Sequence, residues 1–110
     1  MLNKVKMENI NDIDEQRKAI NCIIEIEQQK KMPTRNGMIQ AIINSHNYAS
    51  IEIRRMEEQK GEFDYVSFVN ASDEQLYNKM LECQQAIYNH CFNKFGEEVA
   101  KSIFKARLQQ

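Results

Sequence analysis

The 110 residues carry 15 basic against 16 acidic side chains, a formal net charge of −1, with 42% hydrophobic and 28% charged residues. That length fits one domain, and the balance excludes a wholly disordered chain. No apolar run approaches the roughly 18–20 residues of a bilayer span, and MLNKVKMENI lacks the continuous apolar core of a secretory leader.

Three cysteines, Cys22, Cys83 and Cys91, occur at wide spacing without a CxxC pair, so neither a disulfide framework nor a zinc ribbon is indicated. The expected setting is therefore cytoplasmic, for a soluble intracellular protein. Three Gly, one Pro and no Trp leave few of the punctuators that all-β folds need, and the abundant Glu, Gln, Lys, Ile and Met favour helices. The near-neutral total hides a segmental pattern of −2 over residues 1–27, +4 over 28–56, −6 over 57–98 and +3 over 99–110.

In chain order, residues 10–32 show Ile10, Ile13, Ile20, Ile23 and Ile24 at helical spacing, with Ile26 less regular. Asn9, Asn11 or Asp12 can cap the start, Lys30 and Lys31 suit the negative end of the dipole, and Pro33 stops the helix. Thr34 is the expected N-cap of the next element, where Met38, Ile39, Ile42 and Ile43 form a stripe. Gly61 is placed to end it. EFDYVSFVNA, residues 62–71, is aromatic and β-branched, yet no second strand candidate exists to pair with it. It reads as a packed connector or short helix, with pairing across a homodimer axis as the alternative.

Ser72 opens a strong helix, with Gln75 at the capping-box position and Leu76, Met80, Cys83, Ile87 and Cys91 recurring at spacings of three and four. Gly96 marks a stop. A last helix, about 97–108, sets Glu97 and Glu98 first and Lys105 and Arg107 last, around Val99, Ile103, Phe104 and Leu108. The predicted architecture is an all-α compact bundle or orthogonal array of four to five helices, one domain over 1–110. Residues 1–9 form a frayed N-terminus, and 62–71 a short irregular or extended aromatic segment.

Glycines at 37, 61 and 96 are too far apart for a phosphate loop, and no HExxH, GxSxG or calcium loop occurs. Cys91 follows His90 directly, so the two diverge by about 100° on a helix; Cys83 and His90 share a face but stand about 10.5 Å apart along the axis. Neither pair makes a catalytic dyad. His46, His90 and the cysteines lack zinc-ligand spacing. No catalytic residue, metal ligand or cofactor is expected.

Residues 33–59 admit two readings. A turn at Asn44–Asn47 would make 34–60 a helix–turn–helix whose second helix presents Ser50, Glu52, Arg54 and Arg55 to DNA, with Lys30, Lys31 and Arg35 on the backbone. One unbroken helix would instead align Ile39, Ile42, His46, Ala49, Ile53 and Met56 as a heptad seam. Arg54 and Arg55 would then be exposed and paired with Glu58 or an acidic partner. Glu52, Glu57 and Glu58 offset the basic residues, which favours packing over DNA reading. The expected function is a small non-enzymatic interaction protein: an adaptor, regulator or inhibitor. It would bind a partner protein through a helical face and the acidic, aromatic group Glu57, Glu58, Glu62, Phe63, Asp64, Tyr65 and Phe68. The DNA-binding regulator is the alternative.

Overall fold

Among the described residues the chain forms four helices: α1 (Ile10–Lys31), α2 (Arg35–Lys60), α3 (Asp73–Phe95) and α4 (Glu97–Ala106). The computed structural model describes residues 10–60 and 70–106, with side chains over 13–56 and 70–105, and no strand occurs among them. Residues 1–9 and most of the 62–71 aromatic segment, with Gly61 and Leu108, lie outside the described residues. Among the described residues no helix is long and apolar enough to cross a membrane.

The helix boundaries follow the local chemistry. Pro33 separates α1 from α2, and Thr34 caps α2 by accepting from the Gly37 backbone N–H at 3.0 Å. Gln29 at the end of α1 reaches across this turn, its side-chain oxygen accepting from Thr34 N at 2.9 Å. A Cβ on Gly37 would meet the Gln29 amide, the end of a flexible side chain that would have to swing aside. Ser72 forms the expected capping box: its hydroxyl accepts from Gln75 N at 3.1 Å while Gln75 Oε1 accepts from Ser72 N at 2.8 Å. Gly96 ends α3 at φ 95°, ψ 167° and opens α4, with its N–H on Phe92 O and its carbonyl accepting from Ala100 N.

Cross-helix pairs set the topology. Asn44 donates to Glu25 at 2.9 Å, which makes α1 and α2 an antiparallel hairpin. Arg35 pairs with Asp73 at 3.1 Å where α2 and α3 both begin, and Asn93 donates to Glu52 at 3.3 Å far along both. Helices α2 and α3 therefore run parallel. A straight α2 of 26 residues would be about 39 Å long. The helix is not straight: it bends at Ala49 (φ −124°, ψ 45°).

That bend answers the question posed by residues 33–59. Asn44–Asn47 are helical, so the turn expected in the helix–turn–helix reading is absent there, and the departure falls on the single residue Ala49. The heptad seam runs through it: Ile42, His46, Ala49 and Ile53 are buried and Ile39 and Met56 half-buried. Ile53 keeps the seam's spacing beyond the bend, so the bend redirects the axis without rotating the apolar stripe.

Helix α3 packs against all three others and supplies the largest share of the core through Leu76, Met80, Cys83, Ala86, Ile87 and Cys91. From α1 come Ala19, Cys22, Ile23 and Ile26; from α4, Ala100 and Ile103. Each fully buried Leu, Ile or Met contributes roughly 1.5–3 kcal/mol over its exposed state. The isoleucine pattern of α1 needs two corrections. Ile26, the irregular member, is wholly buried, whereas Ile13 is 47% exposed. The α1–α3 contact runs out at the Glu15–Lys94 pair, 3.6 Å apart, next to the last residue of α3, so Ile13 sits at the rim of the bundle.

Candidate functional site

Tyr48 stands where α1, α2 and α3 meet. Its ring meets His90 edge-to-face with centroids 5.0 Å apart, and its hydroxyl lies 4.0 Å from Cys91 Sγ. Adjacent residues of α3 can both reach Tyr48 because the tyrosine is long enough to span the roughly 100° between them. One turn on, Glu52 is only 8% exposed; it accepts from Arg55 at 2.9 Å and from Asn93 at 3.3 Å. The reading that presented Glu52 to solvent beside the arginines is thereby corrected. A carboxylate in the α2–α3 seam requires such charge-assisted partners to remain there.

Burial governs the titratable groups of this junction. It pushes the Cys22 and Cys91 thiols up to about 11, with Glu25 adding to the effect at Cys22 and the Tyr48 hydroxyl opposing it at Cys91. Tyr48 is raised for the same reason. His90 is held below its ordinary value, first by burial and then by Lys94, against the pull of Glu15 and Glu52. Its Nε2 is buried without a hydrogen-bond partner among the described residues. His46, in the seam, is lowered by burial and by Lys79 and Arg54. The thiols are therefore protonated at neutral pH, and a protonated thiol is neither a strong nucleophile nor a metal ligand. Among the described residues no three His, Cys, Asp or Glu side chains gather as a metal-ligand set.

On the other side of Tyr48 a groove of about 330 Å³ opens between α1 and α2. Lys18, Asn21, Cys22 and Glu25 form one wall; Asn44, Asn47 and Tyr48 form the other. Asn44 is braced, accepting from Gln40 at 3.0 Å while donating to Glu25, and its backbone oxygen accepts from Cys22 Sγ at 3.8 Å. Asn21 and Asn47 are exposed, so the groove offers amide donors and acceptors with an ammonium and a carboxylate beside them. Ile51, four residues beyond Asn47 and past the bend, is 69% exposed.

The basic candidates are dispersed. Lys30 is tied into a half-buried bridge between α1 and α3, donating to Glu27 at 3.0 Å and to Gln84 at 3.5 Å, while Gln84 donates to Glu27 at 2.5 Å. Arg35 is engaged by Asp73, and Arg55 by Glu52. Lys31 and Arg54 are exposed and make no ion pair among the described residues. Glu57 and Glu58 lie in the last turns of α2 with their side chains outside the described residues, as are Glu62, Phe63, Asp64, Tyr65 and Phe68 entirely.

Sequence reasoning missed Tyr48, Gln84 and the groove asparagines, and set Glu52 on the wrong face. The spacings were visible, since 18, 21, 22 and 25 share a face, as do 44, 47 and 48. What no spacing reveals is that these two faces meet. Comparison with protein-family models, with curated proteins and with solved structures finds no match to this chain.

Proposed function

We propose that this protein is a small non-enzymatic interaction protein that binds a partner protein through a helical face. The observation that carries the reading is the contrast between the interior and the α1–α2 groove. Thiols and imidazoles are turned inward in protonated-thiol and neutral-imidazole forms, while the groove presents amides, Lys18 and Glu25 to solvent. Such groups form hydrogen bonds with a partner but drive no covalent step. The acidic, aromatic group Glu57, Glu58, Glu62, Phe63, Asp64, Tyr65 and Phe68 is a second contact region in this proposal, and aromatic anchors of that kind concentrate binding energy. Three free, buried cysteines support a reducing, intracellular setting.

The test is capture of a partner by the immobilised full chain, repeated with Asn47→Arg and with the triple alanine variant at Phe63, Tyr65 and Phe68. Loss of a captured protein by ten-fold or more with Asn47→Arg assigns the contact to the groove; loss with the triple variant assigns it to the aromatic segment. Retention by both variants refutes both contact regions. Sedimentation of the free chain as a monomer at high micromolar concentration would reject a homodimer.

A second reading is supported by the bend at Ala49, which divides α2 into two helical stretches, with Arg54 exposed on the second. On this reading the protein binds duplex DNA. With Lys30, Arg35 and Arg55 engaged internally, Lys31 and Arg54 are left to contact phosphates. Two contacts give a log–log salt slope of about −1.8. Absence of duplex binding at low salt removes this reading.

A further inference from the structure

The bend at Ala49 and the junction around Tyr48 occupy adjacent positions on α2, and their combination has a mechanical consequence. Beyond Ala49, residues 50–56 reach the bundle, among the described residues, through few groups. Ile53 is buried, Met56 is half-buried, and Glu52 takes the Asn93 amide; Ile51, Arg54 and Arg55 face solvent. Tyr48, immediately before the bend, sets its ring against His90 and its hydroxyl near Cys91. A residue off helical geometry at the root of a segment is where a hinge absorbs a change of φ and ψ.

We propose that residues 50–56 of α2 form a proton-sensitive flap, hinged at Ala49 and latched to α3 where Tyr48 covers His90, and that acidification releases it.

The chemistry at the latch is asymmetric. In the neutral form, His90 Nε2 tolerates a buried site without a partner among the described residues. An imidazolium donates from both nitrogens, and an unmet charged donor in a buried site is costly. The groups facing His90 are Glu15 from α1, Tyr48 and Glu52 from α2, and Lys94 from its own helix. Neither carboxylate is idle: Glu15 pairs with Lys94 at 3.6 Å and with Lys18 at 3.7 Å, while Glu52 already serves Arg55 and Asn93. The proton is therefore accommodated by admitting water between Tyr48 and His90. Burial, which dominates the downward displacement of His90, acts in the same direction. Parting that contact loosens the root of the flap and uncovers Ile53 and Met56, on the face away from the already exposed Ile51. This enlarges the apolar surface available to a partner, and the release stands independently of what that partner is.

Amide hydrogen exchange on the full-length protein at pH 7.5, 6.5 and 5.5, corrected for intrinsic rates, tests the flap. Protection of residues 50–56 is expected to be lower than that of Met80–Ile87 in α3 at every pH. Below pH 6.5 it should fall further, up to ten-fold per unit for one proton. His90→Gln removes that pH dependence, whereas His46→Gln leaves it in place. Equal protection of the two segments at all three pH values, a rise in flap protection on acidification, or an unchanged fall in His90→Gln would each overturn the proposal. Should His90→Gln fail to fold, NMR titration of the wild-type imidazole decides. Titration of His90 below about 6.5, in step with exchange at 50–56, supports the latch; titration at or above that value overturns it.

Discussion

Replacing Gly96 by alanine isolates a single backbone constraint. Gly96 has φ 95° and ψ 167°, in the region that side-chain-bearing L-residues essentially never occupy. A Cβ added there would meet no atom within 4 Å, so the whole penalty is conformational and no steric clash confuses it. Strain of about 2–3 kcal/mol is offset by about 0.4–1 kcal/mol, because alanine also restricts the unfolded chain. The net loss is about 2 kcal/mol. Over 110 residues, an unfolding entropy of about 2.1 cal/mol/K per residue turns that loss into a Tm decrease of about 9 °C. Thermal unfolding followed by far-ultraviolet circular dichroism measures it. Asparagine gives a further check. It relieves strain at left-handed helical caps, whose ψ is near +47°, but not at ψ 167°, so Gly96→Asn should lose as much as Gly96→Ala. A Tm decrease below about 2 °C for alanine, or a clear rescue by asparagine, would refute the assignment of Gly96 as the obligatory joint between α3 and α4.

Three further outcomes follow from the core and its titratable groups. Ile87→Ala empties a fully buried site on the central helix and should cost about 3–4 kcal/mol in urea unfolding; a loss below 1 kcal/mol would mean α3 is not central. His46 has a folded-state pKa below its unfolded value of 6.5. Its contribution is thus fully present above pH 6.5 and is lost as pH falls below it, at most about 1.4 kcal/mol per unit. Urea midpoints of wild type and His46→Gln between pH 7.5 and 5 should diverge accordingly, and a wild type that gains stability on acidification contradicts the burial of His46. The thiols of Cys22 and Cys91, raised to about 11 and buried, should react with a disulfide reagent at pH 7.5 far more slowly than in denaturant. Equal rates would place them at the surface.

The α1–α2 groove and the junction behind it share Cys22 and Tyr48 as a common wall. A partner that displaced Tyr48 from the groove side would disturb the His90 contact on the other.

The local elements of this protein are written in local chemistry. Pro33 and Thr34 separate α1 from α2, Ser72 and Gln75 start α3, and Gly96 divides α3 from α4; each acts within about four residues, so each is legible by spacing alone. The heptad seam of α2 belongs to the same class. Tertiary structure alone decided what happens between elements. It buried Glu52 and Gln84 with partners 41 and 57 residues away, left Ile13 at the rim, bent α2 at an alanine that sequence marks in no way, and set α2 parallel to α3. A helical face states only that it must be covered; which face covers it depends on the return path of the chain and on the fit of side chains distant in sequence. For that reason the acid–base balance along α2 was visible beforehand, while the meeting of Tyr48, His90 and Cys91 was not.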